Sequence, residues 1–313
     1  MKDNLRADKE SRPCLVVITG PTGVGKTRIC TRLAEQYKAP VISADSRQMY
    51  REMKTGTAVP AADELERVKH YFIGNLSIHD YYNASMFEAE VLALLEEIFN
   101  KTRLVFMAGG SGLYIDAVTR GIDDLPAVDP VLRKDLAAKY HSRGITWLRQ
   151  LLKQLDPAHY KTVDLKNPNR ILKAVEISIM TGKPYSTFLH RKRKERNFGI
   201  VKIGLTMDRQ ELYEKINKRV DEMMEQGLLE EAKDLFRFRH LNALNTVGYK
   251  ELFSYFEGAV SLEKAIELIK RNSRRYAKRQ LTWLARDPEI DWFNPADRRG
   301  IIACIEKHTG SGA

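Results

Sequence analysis

GPTGVGKT, residues 20–27, stands between the apolar run CLVVIT and the helix-like run RICTRLAEQY. A buried strand, a glycine loop and a helix in that order make the phosphate-loop pattern. In such a loop Gly20 and Gly25 let backbone N–H groups turn inward onto an anion, with Pro21, Thr22, Gly23 and Val24 completing the cradle. Lys26 adds a point charge, and Thr27 offers a hydroxyl to Mg2+ or to phosphate. ATP is the usual occupant, yet the loop itself demands only a polyphosphate.

Outward from the loop, residues 14–122 alternate short apolar runs (CLVVIT, APVIS, RLVFMAGG) with helical patterns such as MFEAEVLALLEEIF. That alternation predicts an α/β fold with a mostly parallel sheet. Residues 131–189 show helical periodicity without a convincing strand, and GIVKIGLTM, residues 199–207, reads as a strand again. The expected organisation is a P-loop core of residues 1–122 and 199–313, interrupted by an all-helical insertion of residues 123–198.

P-loop NTPases end a second strand in an Asp that helps hold Mg2+. Here RLVFMAGGSG runs from strand directly into a glycine turn, and the acid appears in VISADSRQMY. Asp45 follows the apolar run and falls at the carboxyl end of a strand, where open α/β sheets bind ligands. Capping a helix, binding Mg2+ and acting as general base are all open to it. The GGSG turn either lets backbone approach a ligand or ends a strand.

Arg219 lies in the stripe formed by Leu212, Ile216, Val220 and Met223, so a charge faces inward. A buried guanidinium requires a carboxylate partner or a bound anion, and the pattern favours neither.

The formal charge is +11, and HRKRKER (residues 190–196) and KRNSRRYAKR (residues 270–279) supply most of it. In the second, Arg271, Arg274, Arg275 and Lys278 share one helix face with no acid nearby, which points to phosphates and to nucleic acid ahead of membrane. NPNRILKAVEI reads as a capped helix carrying Arg170 and Lys173 near its start. Cys14, Cys30 and Cys304 have no metal-ligand or disulfide spacing. The charged N-terminus lacks a signal-peptide core, and no apolar run approaches the ~20 residues that span a bilayer. A cytoplasmic protein without membrane association is expected.

With GPTGVGKT, ADSRQMYREMKTGTAVP, AGGSGLYIDAVTRG, NPNRILKAVEISIMTGKP, LYEKINKRVDEMMEQGLLEEA and RRYAKRQLTWLARD in order, nearly the whole chain resembles the tRNA dimethylallyltransferases. The resemblance implies transfer of a dimethylallyl group from dimethylallyl diphosphate to N6 of the adenosine immediately 3′ of the tRNA anticodon. It implies Asp45 as general base, Arg219 and Lys26 on the diphosphate, and Thr27 on phosphate or Mg2+. The implied partners are dimethylallyl diphosphate and the anticodon stem-loop of tRNA; a monomer is expected. The RNA contacts it implies are Asp45, Ser46, Arg47, Gln48, Ser111, Arg133, Asn169, Arg170, Ile171, Leu172 and Lys173, joined by the basic-face residues Arg274, Arg275 and Lys278. Ser111 stands where the family usually has Thr, and Val59 where it usually has Lys. The rival expectations are an ATP-dependent kinase and a non-catalytic RNA-binding protein. The first would need a nucleotide, and the second has little use for Asp45 and an inward Arg219.

Overall fold

CLVVIT forms a strand whose six residues are all buried, as a central strand covered on both faces must be. The computed structural model describes residues 12–126, 129–190 and 192–310. They divide into two compact units, one running up to Thr119 and again from Glu195, the other Arg120–Lys194.

In chain order the first unit begins with β1 (Cys14–Thr19), α1 (Lys26–Gln36), β2 (Val41–Ser43), α2 (Ala62–Arg67), β3 (His70–Tyr71), α3 (Ala84–Phe99), β4 (Leu104–Gly109) and α4 (Gly112–Arg120). The second unit carries α5 (Pro130–Leu155), α6 (Pro157–Tyr160) and α7 (Pro168–Thr181). The first then resumes with β5 (Gly199–Leu205), α8 (Arg209–Glu225), α9 (Leu228–Leu235), α10 (Tyr249–Phe256), α11 (Leu262–Leu284), β6 (Ile290–Phe293) and α12 (Arg298–Thr309).

The six strands form one sheet in the order β3-β2-β4-β1-β5-β6, and every described pairing is parallel. The expected α/β class is therefore borne out, with β3 and β6 added at the edges. Strand alternation separates two layers. Cys14, Val16 and Ile18 pack with Cys30 and Leu33 of α1, Leu212 and Ile216 of α8 and Ile301 of α12. Leu15 and Val17 pack with Phe87, Val91 and Leu95 of α3 and with Val118 of α4. A further core joins the end of α8 to α9, α10 and α11 around the fully buried Tyr249.

The second unit has no strand among its described residues. Leu136, Leu148 and Leu152 of α5 meet Ile171, Ala174 and Val175 of α7. Asn167 caps α7 by accepting from the Arg170 N–H, as NPNRILK suggests, and Gly182 closes it in the left-handed region. Gly144 interrupts α5 with a φ of 74°.

Candidate active site

A wholly parallel sheet puts the carboxyl ends of β1, β2, β4 and β5 along one edge. The phosphate loop, Asp45 and the GGSG turn all leave the sheet there. Gly20 passes so close to β5 that a Cβ would lie 2.6 Å from the Leu205 carbonyl oxygen. Gly25 holds a left-handed conformation at the N-cap of α1, so the helix opens directly onto the loop and turns its free N–H groups toward it. Lys26 folds back and donates from Nζ to the Pro21 carbonyl at 2.8 Å. Burial and the positive Arg219 lower its pKa to about 8, against the opposing charge of Asp45.

Arg219, on α8, donates to Thr22 Oγ1 at 3.3 Å and joins no ion pair among the described residues. Burial lowers its pKa, opposed by the charges of Asp45 and Glu222. Lys202 on β5 shows what a structural buried cation looks like here. It is 4% exposed and is held by Asp287 at 2.7 Å and by Glu289 at 3.0 Å. Of the two readings open to Arg219, the carboxylate-partner one thus lacks its carboxylate. A cleft of about 500 Å3 runs between the loop and α8, bounded by Lys26, Thr27, Arg219 and Met223 and by residues 58–60 opposite. Glu222 also lines it, with Lys218 3.6 Å away.

The turn after β2 is ordered around Asp45. Its Oδ1 accepts from the Arg47 N–H at 2.9 Å, leaving the rest of the carboxylate to act on its surroundings. Its negative charge raises the pKa of Tyr276 and Tyr114, both pushed up to about 12 chiefly by burial. Ser111 Oγ accepts from the Ser46 N–H at 3.0 Å and donates to Ser46 Oγ at 3.2 Å, tying the GGSG turn to this segment. Gln280 of α11 fastens the two glycine segments together. Its Oε1 accepts from the Thr22 N–H at 2.8 Å, and its Nε2 donates to the Gly110 carbonyl at 2.9 Å. The glycines of the GGSG turn serve these approaches, since a Cβ on Gly110 would lie 2.2 Å from Gln280 Nε2 and one on Gly109 2.2 Å from the Ala44 carbonyl oxygen.

The IPP transferase family model matches residues 48–287. The chain is 52% identical over 292 residues to tRNA dimethylallyltransferase 1 of Bacteroides fragilis, covering 93% of this chain and 97% of that one. It is 53% identical over 293 residues to tRNA dimethylallyltransferase 2 of Parabacteroides distasonis, covering 94% and 98%. The chain belongs to the tRNA dimethylallyltransferase family. Among solved structures, the tRNA isopentenylpyrophosphate transferase of Bacillus halodurans is 37% identical with a TM-score of 0.67, covering 96% of this chain and 99% of that one.

Measured against that family, the anticipated RNA contacts divide. Asp45, Ser46, Arg47 and Ser111 cluster at the sheet edge. Gln48 is 8% exposed and its amide is engaged internally, accepting from Ser43 Oγ and donating to the Thr57 and Ala58 carbonyls. In the second unit Asn169, Arg170, Leu172 and Lys173 lie on the first turns of α7, but Ile171 is fully buried in the core, which leaves no side-chain surface there for RNA. Arg133 reaches the buried Glu176 carboxylate at 2.8 Å.

The basic segments need correction in part. Arg196 is no surface cation. It is buried with Glu88 at 2.7 Å and donates to the Val118 and Ala117 carbonyls. Lys194 pairs with Asp124, and Arg191 lies outside the described residues. On α11, Lys270 pairs with Asp221 and Arg274 with Asn217, both on α8, because that side of the helix packs against α8. Arg271, Arg275, Lys278 and Arg279 remain exposed. Gln280 was missed, though a polar residue between the apolar positions Ala277 and Leu284 is the same signal that exposed Arg219.

Proposed function

We propose that the chain transfers the dimethylallyl group of dimethylallyl diphosphate to N6 of the adenosine immediately 3′ of the anticodon in tRNA. The observation that carries this is Arg219, a buried cation lacking a carboxylate partner among the described residues, set beside Lys26 at the phosphate loop with Asp45 on the same sheet edge. Such a site suits an anion that leaves next to a base.

In the reaction the N6 lone pair attacks C1 of the prenyl group, and the C1–oxygen bond breaks with its electron pair passing to the diphosphate. Negative charge grows on the bridging oxygen. The loop N–H groups, Lys26 and Arg219 are fixed before that charge appears, so they stabilise the transition state more than the bound substrate. Alkylation makes the N6 proton strongly acidic, and the Asp45 carboxylate receives it. The adenine must leave its stack to reach this edge.

Thr27 carries the only hydroxyl at the start of α1, and among the described residues no group of three or more His, Cys, Asp or Glu could hold a metal. That donor set fits Mg2+, which takes most of its ligands from phosphate and water, with Thr27 adding one oxygen. Bound there, Mg2+ would neutralise part of the leaving-group charge.

The exposed cations of α11 and the first turns of α7 are the surfaces offered to the anticodon stem-loop. No described helix is long and apolar enough to cross a membrane. The relatives are named for action on tRNA, so a cytoplasmic location is the one that gives the chain its substrate, and we propose that it acts there as a monomer. Mass spectrometry of nucleosides from unmodified tRNA, incubated with the protein, Mg2+ and dimethylallyl diphosphate but no nucleotide, tests the reading. Dimethylallyl-adenosine is the expected product. Its absence, or a requirement for ATP, refutes the proposal.

A further inference from the structure

Ala58, Val59 and Pro60, which line the cleft with Arg219, end the segment KTGTAVP, residues 54–60, which is not a regular element. Ala58 sits there at φ 46°, in the left-handed region that a side chain disfavours. Something must hold the segment in that shape, and the structure shows what does. One oxygen of Glu231 accepts from the Lys54 N–H at 2.9 Å and the Thr55 N–H at 2.8 Å. The other accepts from the Gly56 N–H at 2.9 Å and from the hydroxyl of buried Tyr249 at 2.7 Å. Glu231 joins no ion pair among the described residues, so these four donors are what answer its charge.

Glu231 lies on α9, which follows α8 across the left-handed Gly227. Arg219 is on α8. One carboxylate therefore ties the helix pair bearing Arg219 to residues 54–56, and the tie passes on to the cleft-lining residues through the Ala58 N–H, which donates to the Thr55 carbonyl at 3.0 Å, and the Val59 N–H, which donates to the Lys54 carbonyl at 3.3 Å. The far end of the same segment is held by Gln48, which bonds Ser43 beside the Asp45 turn.

We propose that Glu231 is a positioning residue, which sets the width of the diphosphate cleft by holding residues 54–56 against α9 and so determines affinity for dimethylallyl diphosphate. The inference rests on the function proposed above. Glu231→Gln puts an N–H2 group, which cannot accept, against two backbone N–H donors, or against the Gly56 N–H and the Tyr249 hydroxyl, whose oxygen can accept from it, so two of the four bonds are lost in the first orientation and one in the second. Gly56→Ala attacks the same contact from the loop side, since its Cβ would lie 2.4 Å from the Tyr249 hydroxyl.

The experiment measures thermal stability, dimethylallyl diphosphate binding by calorimetry, and KM and kcat with tRNA for the wild type, both variants and Tyr249→Phe. Both Glu231→Gln and Gly56→Ala should weaken diphosphate binding and raise its KM by about tenfold with kcat within about threefold, and Tyr249→Phe should do so by about twofold to threefold. Amide exchange at residues 54–56 should quicken in all three. Wild-type turnover with unchanged diphosphate affinity in the folded variants overturns the proposal while sparing the assigned reaction. Absence of wild-type turnover instead removes the reaction itself. If Glu231→Gln does not fold, Tyr249→Phe decides, and unaltered affinity together with faster exchange counts against the proposal.

Discussion

Lys26 gives the sharpest prediction, because burial and Arg219 lower its pKa to about 8 from an ordinary lysine value of 10.5. The free protein then holds Lys26 mostly charged at pH 7, about half charged at pH 8 and about one-tenth charged at pH 9. Diphosphate binding requires the charged form and raises its pKa, so binding should take up about half a proton at pH 8. The substrate's own charge changes little above pH 7, since phosphate second ionisations lie near pH 6. Affinity for dimethylallyl diphosphate should therefore fall by roughly tenfold between pH 7 and pH 9. Calorimetry in buffers of different ionisation enthalpy measures both the affinity and the proton. Lys26→Arg, charged throughout, should flatten the profile. Asp45→Asn removes the charge that supports protonated Lys26 and should move the profile to lower pH. For the unliganded fold the sign is opposite: a depressed lysine destabilises fully below about pH 8, and stability rises as pH climbs from 8 toward 10.5. An affinity constant from pH 7 to 9, with no proton taken up, would refute the placement of Lys26 on the diphosphate.

Three further outcomes are expected. Asp45→Asn keeps size while removing basicity, so single-turnover transfer on preformed complexes should drop by about 10² to 10⁴ with both substrates still bound; reaction within a few-fold of wild type would leave Asp45 only a positioning role. Arg219→Ala should lower kcat/KM by the equivalent of about 2 to 4 kcal/mol and weaken diphosphate binding, with the fold intact because no carboxylate is orphaned; unfolding with normal turnover in the surviving fraction would make Arg219 structural. Replacing Arg271, Arg275 and Lys278 together by Ala should weaken tRNA binding and flatten its salt dependence without altering diphosphate affinity, and an unchanged salt slope would take this face out of RNA binding.

What the chain discloses in one dimension is what its local periodicities encode. CLVVIT, GPTGVGKT and the helix after them are contiguous, so β1, the loop and α1 were legible with the function of the loop narrowed to a polyphosphate. Asp45 was legible because a strand end in a parallel sheet has a known direction. Arg219 was legible as an inward charge, but whether it met an acid or an anion depended on chain far away, and only the folded structure distinguishes it from Lys202, which meets Asp287 and Glu289. The same limit applies to Arg196, whose neighbours in HRKRKER are charged while Glu88 lies 108 residues off. Thr22 and Gln280 are 258 residues apart and Glu231 is 175 from Gly56, so no window could pair them. The chemistry-bearing groups could be read locally because Lys26, Thr27 and Asp45 sit at the ends of regular elements and Arg219 breaks the apolar stripe of one. The groups that hold them in place could not, because their partners are backbone N–H and C=O groups, which every residue offers and only the fold selects.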